Sequence, residues 1–375
     1  MVRRTLDDSL LKLCFTRSGS SDARQEYLLE RFAECQTEAL GGQILKCSNC
    51  GTRVVHYNPC NVRGCPRCAG YHQGRWRESM QNRILPIGHF HLVFSAPGWL
   101  TELWLMRPTQ VIDALFAAAS QSIKAIFAPT GLLYGATLVF QSHGRRLCYK
   151  PHIHCLLTPG GVDREGRWQT HKGIDESSLT HQFAGPMIKR LERSLANYLT
   201  VVLGNACTHE RFSVHATFHR DTPDALISYL ARSTHGLILD PRTELEVAEA
   251  TLRFTDTRED CELSYSEFLT RYFRHIPPAR TVTIRHYGLY STRHTGMLEW
   301  VRPQVHSKLR SVDPPSAEEL FYPPCPHCHR RKLTLDYQFD PGQIPLELKV
   351  LAQIRGSPVP NNLIITASPR PQTPE

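Results

Sequence analysis

The chain has 375 residues, with 44 Lys and Arg against 35 Asp and Glu, for a formal net charge of +9 at pH 7 and a pI near 9.0. That length buries a core without disulfide staples, in two domains or one large one, and the basic excess favours a polyanion such as nucleic acid over an acidic or neutral substrate. No apolar run reaches the roughly 18 to 20 residues that span a bilayer, and thirteen cysteines, several in Cys-x-x-Cys pairs with no N-terminal signal segment ahead of them, point to reduced, metal-binding thiols in a cytoplasm rather than a secreted disulfide framework.

The first organised unit is a cysteine cluster. Cys47 and Cys50 form one two-residue knuckle and Cys65 and Cys68 a second, fourteen residues further on, close to the spacing of a four-cysteine zinc ribbon. Gly51 and Gly64 give the knuckle turns their freedom. Cys35 and Cys60 stand as second-tier ligands that either replace a knuckle thiol or are simply buried. Around them Arg53, His56, Arg63, Arg67, His72, Arg75 and Arg77 interleave with Tyr57, Tyr71 and Trp76. That mixture suits phosphate contact and base stacking, and it is also what a solvated basic face looks like.

A boundary is expected near Leu85-Pro86. Beyond it His89 to Ser95 reads as a strand closed by a turn at Pro97-Gly98, and it carries one His-x-His pair, His89 and His91. Leu103 to Phe127 has helical spacing through Val111, Ile112, Leu115, Phe116, Ile123 and Ile126, and Leu132 to Gln141 is a β-rich run.

The most informative stretch is Lys150 to Leu157, where His152 and His154 flank a single apolar residue. Residues two apart on a strand share a face, so two imidazoles there can reach one cation. Pro151 starts the expected strand, Ile153, Cys155 and Leu157 point the other way, and Pro159-Gly160-Gly161 ends it. Alone, the pair fits two solvated histidines on a half-exposed strand equally well. Paired with the run at 133 to 142, it makes a hairpin with an eight to ten residue connection that brings Gln141 or His143 near the histidines. An amphipathic stretch from His181 to Val202 and an alternating strand from Phe212 to His219 follow. Without a strict βαβ rhythm, these elements predict an α+β fold with an antiparallel sheet.

Thr222-Pro223-Asp224 predicts a helix start, with Thr222 as cap, proline at the first position and an acid in the first turn, running to about Ser233. Leu226, Ile227 and Leu230 form its apolar stripe. Tyr229 lies on the flank, where a ring packs on a sheet while its hydroxyl reaches a cleft; a lone helical tyrosine is ordinarily core. Further on, Ile284 to Leu289 reads as a sheet strand, or as part of a basic stretch from Arg280 to Arg293 suited to single-stranded nucleic acid. Beyond Pro303 the chain grows proline-rich, and Asp313-Pro314-Pro315 marks a linker. Cys325-Pro326-His327-Cys328 is a further knuckle that supplies two thiols, with His327 or His329 as an added donor or as an incidental neighbour. Pro358 onward reads as a disordered tail.

In order, Tyr57-Asn58-Pro59-Cys60-Asn61-Val62-Arg63-Gly64-Cys65-Pro66-Arg67-Cys68, then Pro151-His152-Ile153-His154, then Tyr229-Leu230-Ala231-Arg232-Ser233-Thr234-His235, then Ile284-Arg285-His286-Tyr287-Gly288-Leu289-Tyr290 closely resemble the rolling-circle transposases of the IS91-like class of insertion sequences. These belong to the HUH superfamily, named for two histidines around a hydrophobic residue, and the resemblance spans roughly residues 30 to 300. It implies an HUH-type antiparallel sheet flanked by helices over 86–300, preceded by a helical segment and small zinc-ribbon-like domain over 1–85 and followed by an extension over 301–375. It also implies a bacterial, DNA-associated transposase that nicks and rejoins single-stranded DNA through a covalent 5′-phosphotyrosine, leaving a 3′ hydroxyl that primes the host replication machinery. Tyr229 would be the nucleophile. Mg2+ or Mn2+ would sit on His152 and His154, with Gln141 as third ligand ahead of His143 and His235. Structural Zn2+ would sit on Cys47, Cys50, Cys65 and Cys68, and Arg63, Arg67, Arg285, His286, Tyr287 and Arg293 would contact DNA. The family usually reads Tyr-x-x-x-Tyr on the helix, whereas Ser233 occupies the second position here, as in single-tyrosine members.

Two other classes share some of these features. A zinc-ribbon DNA-binding regulator explains the charge and the cysteines but not the His-x-His strand. A metal-dependent hydrolase or oxygenase uses the histidines but needs a carboxylate ligand that no motif nominates.

Overall fold

The computed structural model describes residues 2–144, 147–171, 173–205, 211–235, 238–240, 242–256, 259–305, 324–355 and 361–365. The chain enters through strand β1 (Val2–Arg4) and helices α1 (Asp8–Ser18) and α2 (Ala23–Glu34), then forms the hairpin β2 (Gly42–Cys47) and β3 (Arg53–Tyr57), and helix α3 (Ala69–Arg83). There follow β4 (His89–Ser95), α4 (Leu100–Met106), α5 (Pro108–Phe127), β5 (Leu133–His143), β6 (Tyr149–Val162), β7 (Trp168–Thr170), α6 (Glu176–Asn205), β8 (Ser213–His219) and α7 (Asp224–His235). The last third holds β9 (Leu245–Val247), β10 (Thr251–Asp256), β11 (Glu259–Ser264), α8 (Tyr265–Arg274), β12 (Ile284–Gly288), α9 (Thr295–Val305), β13 (Leu333–Phe339), α10 (Leu346–Arg355) and β14 (Ile364–Ile365).

The fold is α+β. Its central sheet has the order β12-β5-β6-β4-β8, with β7 added beside β6, and its described pairings are antiparallel. Period-two alternation divides the sheet into two faces. One face sends Leu92, Phe94, Leu138, Phe140, Ile153 and Cys155 into the main core against Val111, Leu115 and Phe116 of α5 and Phe183 of α6. The other face presents Leu156 to a second core made by Ile227 and Leu230 of α7, Met80 of α3, and Leu298 and Val301 of α9. That second face also carries the paired histidines.

Several expected elements form with altered bounds. The single helix expected over 103–127 is two, because Pro108 opens α5 and Arg107 before it sits at φ −140°, outside the helical region. The hairpin connection is shorter than expected, since β5 runs to His143 and β6 begins at Tyr149. Pro159-Gly160-Gly161 does not end β6: the strand continues to Val162 because Gly160 and Gly161 pair with Thr170 and Gln169 of β7. Only glycine fits there, as a Cβ on Gly160 would lie 2.1 Å from the Gln169 carbonyl oxygen.

Two smaller sheets flank the centre. One runs β1-β9-β10-β11, and the other β13-β2-β3-β14. In the latter the C-terminal strands cover both edges of the β2–β3 hairpin, with Ile44, Val55 and Tyr57 packed against Phe339, Leu348 and Ile365. The expected tail beyond Pro358 therefore contains an ordered strand, since Ile364 pairs with Val54. The linker at Asp313-Pro314-Pro315 lies outside the described residues. Among the described residues no helix is long and apolar enough to cross a membrane.

Candidate functional site

Strand β6 is central in its sheet, so register with both neighbours determines what surrounds the histidine pair. Gln141 of β5 lies opposite His152, and Val139 opposite His154; from the other side come Ser95 and Val93 of β4. His152 Nε2 and His154 Nε2 stand 3.1 Å apart, and Gln141 Oε1 is 2.8 Å from His154 Nε2. A cation with ligand bonds of about 2.1 Å sets neighbouring donors roughly 3 Å apart, so these three atoms suit one ion.

The remaining ring nitrogens are also placed. His152 donates from Nδ1 to the Lys150 carbonyl at 2.5 Å. A carbonyl only accepts, so the neutral ring keeps its lone pair on Nε2. His154 Nδ1 lies 2.9 Å from His91 Nε2, so a proton on Nδ1 finds an acceptor there and Nε2 again faces inward. Burial lowers the His152 imidazole to about 4. His154 is held well below its usual range, by burial first and then by His152, His91 and His143. Both rings are neutral near pH 7, the form that ligates metals.

Helix α7 brings the tyrosine to this face. Leu226, Ile227 and Leu230 are buried as its stripe predicts, and Asp224 is anchored by Gln81 Nε2 of α3 at 2.7 Å. Tyr229, on the flank, is 40% exposed, and its ring sits edge-on to His154 with centroids 5.6 Å apart, and 5.7 Å from His91. The side chains of Ser233 and His235 lie outside the described residues.

The other His-x-His pair, His89 and His91, shares one strand, and the structure gives its two members different surroundings. His89 is a satisfied core residue, with Nδ1 2.8 Å from the Ile87 carbonyl and Nε2 2.6 Å from the Tyr290 hydroxyl. His91 is the neighbour of His154, a role that its own His-x-His spacing on a strand could have suggested. His143, a secondary candidate, has Nε2 3.1 Å from Gln141 Nε2.

The thiols group differently from the expected ribbon. Cys35, Cys60, Cys65 and Cys68 form one cluster and Cys47, Cys50, Cys325 and Cys328 another, each with its sulfurs within 4.8 Å of one another. The knuckles at 47–50 and 65–68 therefore do not share a site. The return of β13 onto β2, with Leu333 opposite Cys47, fills with C-terminal thiols the places that chain spacing had given to Cys65 and Cys68. Cys35 and Cys60 move from second-tier ligands into the first cluster. Its core is buried, and contacts from Cys35, Cys65 and Cys68 hold the Cys60 thiol far below its ordinary range.

The residues expected to bind DNA do not share one surface. Arg67 pairs with Asp8 at 2.9 Å and donates to the Cys35 carbonyl. Arg63 has its Nη1 enclosed, and burial pushes its guanidinium down to about 10. Arg285 lies opposite Leu138, so alternation turns it away from the histidines onto α5, where it pairs with Asp113 and covers the Phe116 ring. Tyr287 packs on that same core. His286 lies on the histidine face, 3.0 Å from Thr137 Oγ1, and Arg293 is exposed on the turn Thr292–His294.

Two family models match the chain: one described as a transposase zinc-binding domain over residues 8–96, the other as a putative transposase over residues 135–296. The putative transposase y4qJ of Sinorhizobium fredii is 25% identical over 304 residues, covering 73% of this chain and 76% of its own. The transposase for insertion sequence element IS801 of Pseudomonas savastanoi pv. phaseolicola is 28% identical over 333 residues, covering 82% of this chain and 79% of its own. No solved structure matches the chain.

Proposed function

We propose that the chain, which is similar to the IS91-like transposases of insertion sequences, nicks and rejoins single-stranded DNA through a covalent link between Tyr229 and a 5′ phosphate. The observation that carries this reading is the convergence of His152 Nε2, His154 Nε2 and Gln141 Oε1 beside the Tyr229 ring. A DNA-binding regulator would have no use for that arrangement.

A divalent cation, manganese or magnesium, held on His152, His154 and Gln141 would supply Lewis-acid polarisation of the scissile phosphate. The donor set is uncharged, so it leaves the cation's charge to an anionic substrate, and its nitrogen ligands suit manganese at least as well as magnesium. Tyr229 Oη attacks phosphorus as the bond to the 3′ oxygen breaks, and the phenolic proton ends on that oxygen to give a free 3′ hydroxyl. Attack by a 3′ hydroxyl on the phosphotyrosine reverses these changes and frees the tyrosine. His91 orients the His154 ring, and α7 sets the reach of Tyr229. Single strands fit because a phosphate must approach a helix flank and a sheet face together, which a duplex resists. Ser233 stands where the family has a second tyrosine, and its alcohol is far less acidic than a phenol, so one chain carries one covalent link at a time. The zinc-binding region supports this centre structurally, in a protein working on bacterial DNA.

The test is to incubate the purified chain with Mn2+ and a labelled single-stranded oligonucleotide carrying the element end, then look for a denaturation-resistant protein–DNA adduct. Wild type is expected to form it and Tyr229→Phe to form none. Absence from wild type, or equal adduct with Tyr229→Phe, overturns the reading.

A further inference from the structure

The matched zinc-binding region covers residues 8–96, yet Cys47 and Cys50 inside it have thiol partners beyond residue 324. Cys47 Sγ lies 3.7 Å from Cys328 Sγ, and Cys50 Sγ lies 3.7 Å from Cys325 Sγ. We propose that these four thiols form a second zinc site, built from the two ends of the chain and separate from the cluster at Cys35, Cys60, Cys65 and Cys68.

The distances suit a shared ion rather than disulfides. A tetrahedron of zinc–sulfur bonds near 2.3 Å has edges of about 3.8 Å, whereas a disulfide needs about 2.05 Å. The two knuckles are built alike. In one, Gly51 N–H donates to the Cys47 carbonyl at 2.8 Å, and in the other His329 N–H donates to the Cys325 carbonyl at 2.8 Å. Each turn ends on a positive φ, 73° at Gly51 and 57° at His329. Four soft thiolates select zinc over magnesium or manganese. Leu45, Val54 and Leu333 wall the site, with Cys47 and Cys325 buried and Cys50 and Cys328 at the rim.

The site also explains how the C-terminal segment is held. Chain separations of 275 and 281 residues lie between the bridged thiols, so one ion closes a very long loop. Around it β13 and β14 cover both edges of the hairpin, and Arg53 pairs with Asp336 at 2.8 Å and Glu347 at 3.1 Å. The ion is the fastening at one end of this sheet. None of this depends on the tyrosine mechanism.

Elemental analysis and native mass spectrometry of the full chain, expressed with zinc, should return two zinc ions per chain, one for each thiol cluster. Cys325→Ser/Cys328→Ser should retain one, and Cys60→Ser/Cys68→Ser should retain the other. In the first variant, amide exchange should rise in residues 42–57 and 325–339 and stay unchanged in 149–162. One zinc per wild-type chain, iron in place of zinc, or two ions kept by Cys325→Ser/Cys328→Ser would each overturn the proposal. The wild-type count stands whether or not the variants fold.

Discussion

At the scale of single residues, the two histidines of β4 divide the demands of folding and chemistry. His89 is enclosed and bonded to the Tyr290 hydroxyl and the Ile87 carbonyl. Replacing it with alanine empties a buried site and removes the acceptor of the Tyr290 hydroxyl proton, leaving that hydroxyl only the Leu85 N–H, and should cost about 2–4 kcal/mol of stability. His91 instead touches His154 Nδ1, and groups that orient a metal-ligating histidine typically contribute about 10- to 100-fold in metal affinity or activity. His91→Ala should therefore lower the rate of adduct formation by that factor with little change in the denaturation midpoint. His89→Ala should do the reverse, once assayed below its own unfolding transition. Equal effects of the two substitutions on rate and stability would show that the division is wrong.

At the scale of elements, helix α7 joins the core to the proposed nucleophile. Ile227 and Leu230 are fully buried while Tyr229, between them, faces outward. Ile227→Ala should cost about 2–5 kcal/mol through the cavity it leaves and should reduce adduct formation by tilting Tyr229. Tyr229→Phe should change stability by no more than about 0.5 kcal/mol while abolishing the adduct. Urea denaturation read alongside the adduct assay checks both. This helix was legible in the sequence because an apolar stripe and a Pro-Asp start are local signals, and β4 was legible through its alternation and the turn at Pro97-Gly98. The histidine pair was legible for the same reason. What escaped was non-local or depended on sheet face. Spacing along the chain grouped Cys47 and Cys50 with Cys65 and Cys68, whereas strand pairing sends the first two to Cys325 and Cys328. Arg285 and Tyr287 look like nucleic-acid contacts in a basic stretch, but alternation on β12 points both at the α5 core.

At the scale of the whole molecule, a chain this rich in histidine carries a built-in sensitivity to acid. His89, His275 and His286 are each pushed down to about 4, chiefly by burial, and they belong to different parts of the structure. His89 is in the second core, His275 follows α8 and bonds to Ser142 and the Leu147 carbonyl, and His286 is on the sheet edge strand. In the unfolded chain such imidazoles titrate near 6.5. Between about pH 4 and 6.5 the unfolded state therefore binds more protons than the folded one, so acidification favours unfolding. The stability these groups contribute is fully present above pH 6.5 and is lost as pH falls toward 4, by up to about 1.4 kcal/mol per pH unit for each histidine. Exposed ion pairs offset little of this, because water screens them. The thermal midpoint should thus be level from pH 8 to 7 and fall steadily from pH 6.5 to 5. His275→Gln, which removes one titrating group, should make that fall shallower even where it lowers the midpoint at pH 7.5. A wild-type midpoint unchanged between pH 7 and 5 would mean that these histidines stay neutral in both states, or open to solvent before the protein unfolds.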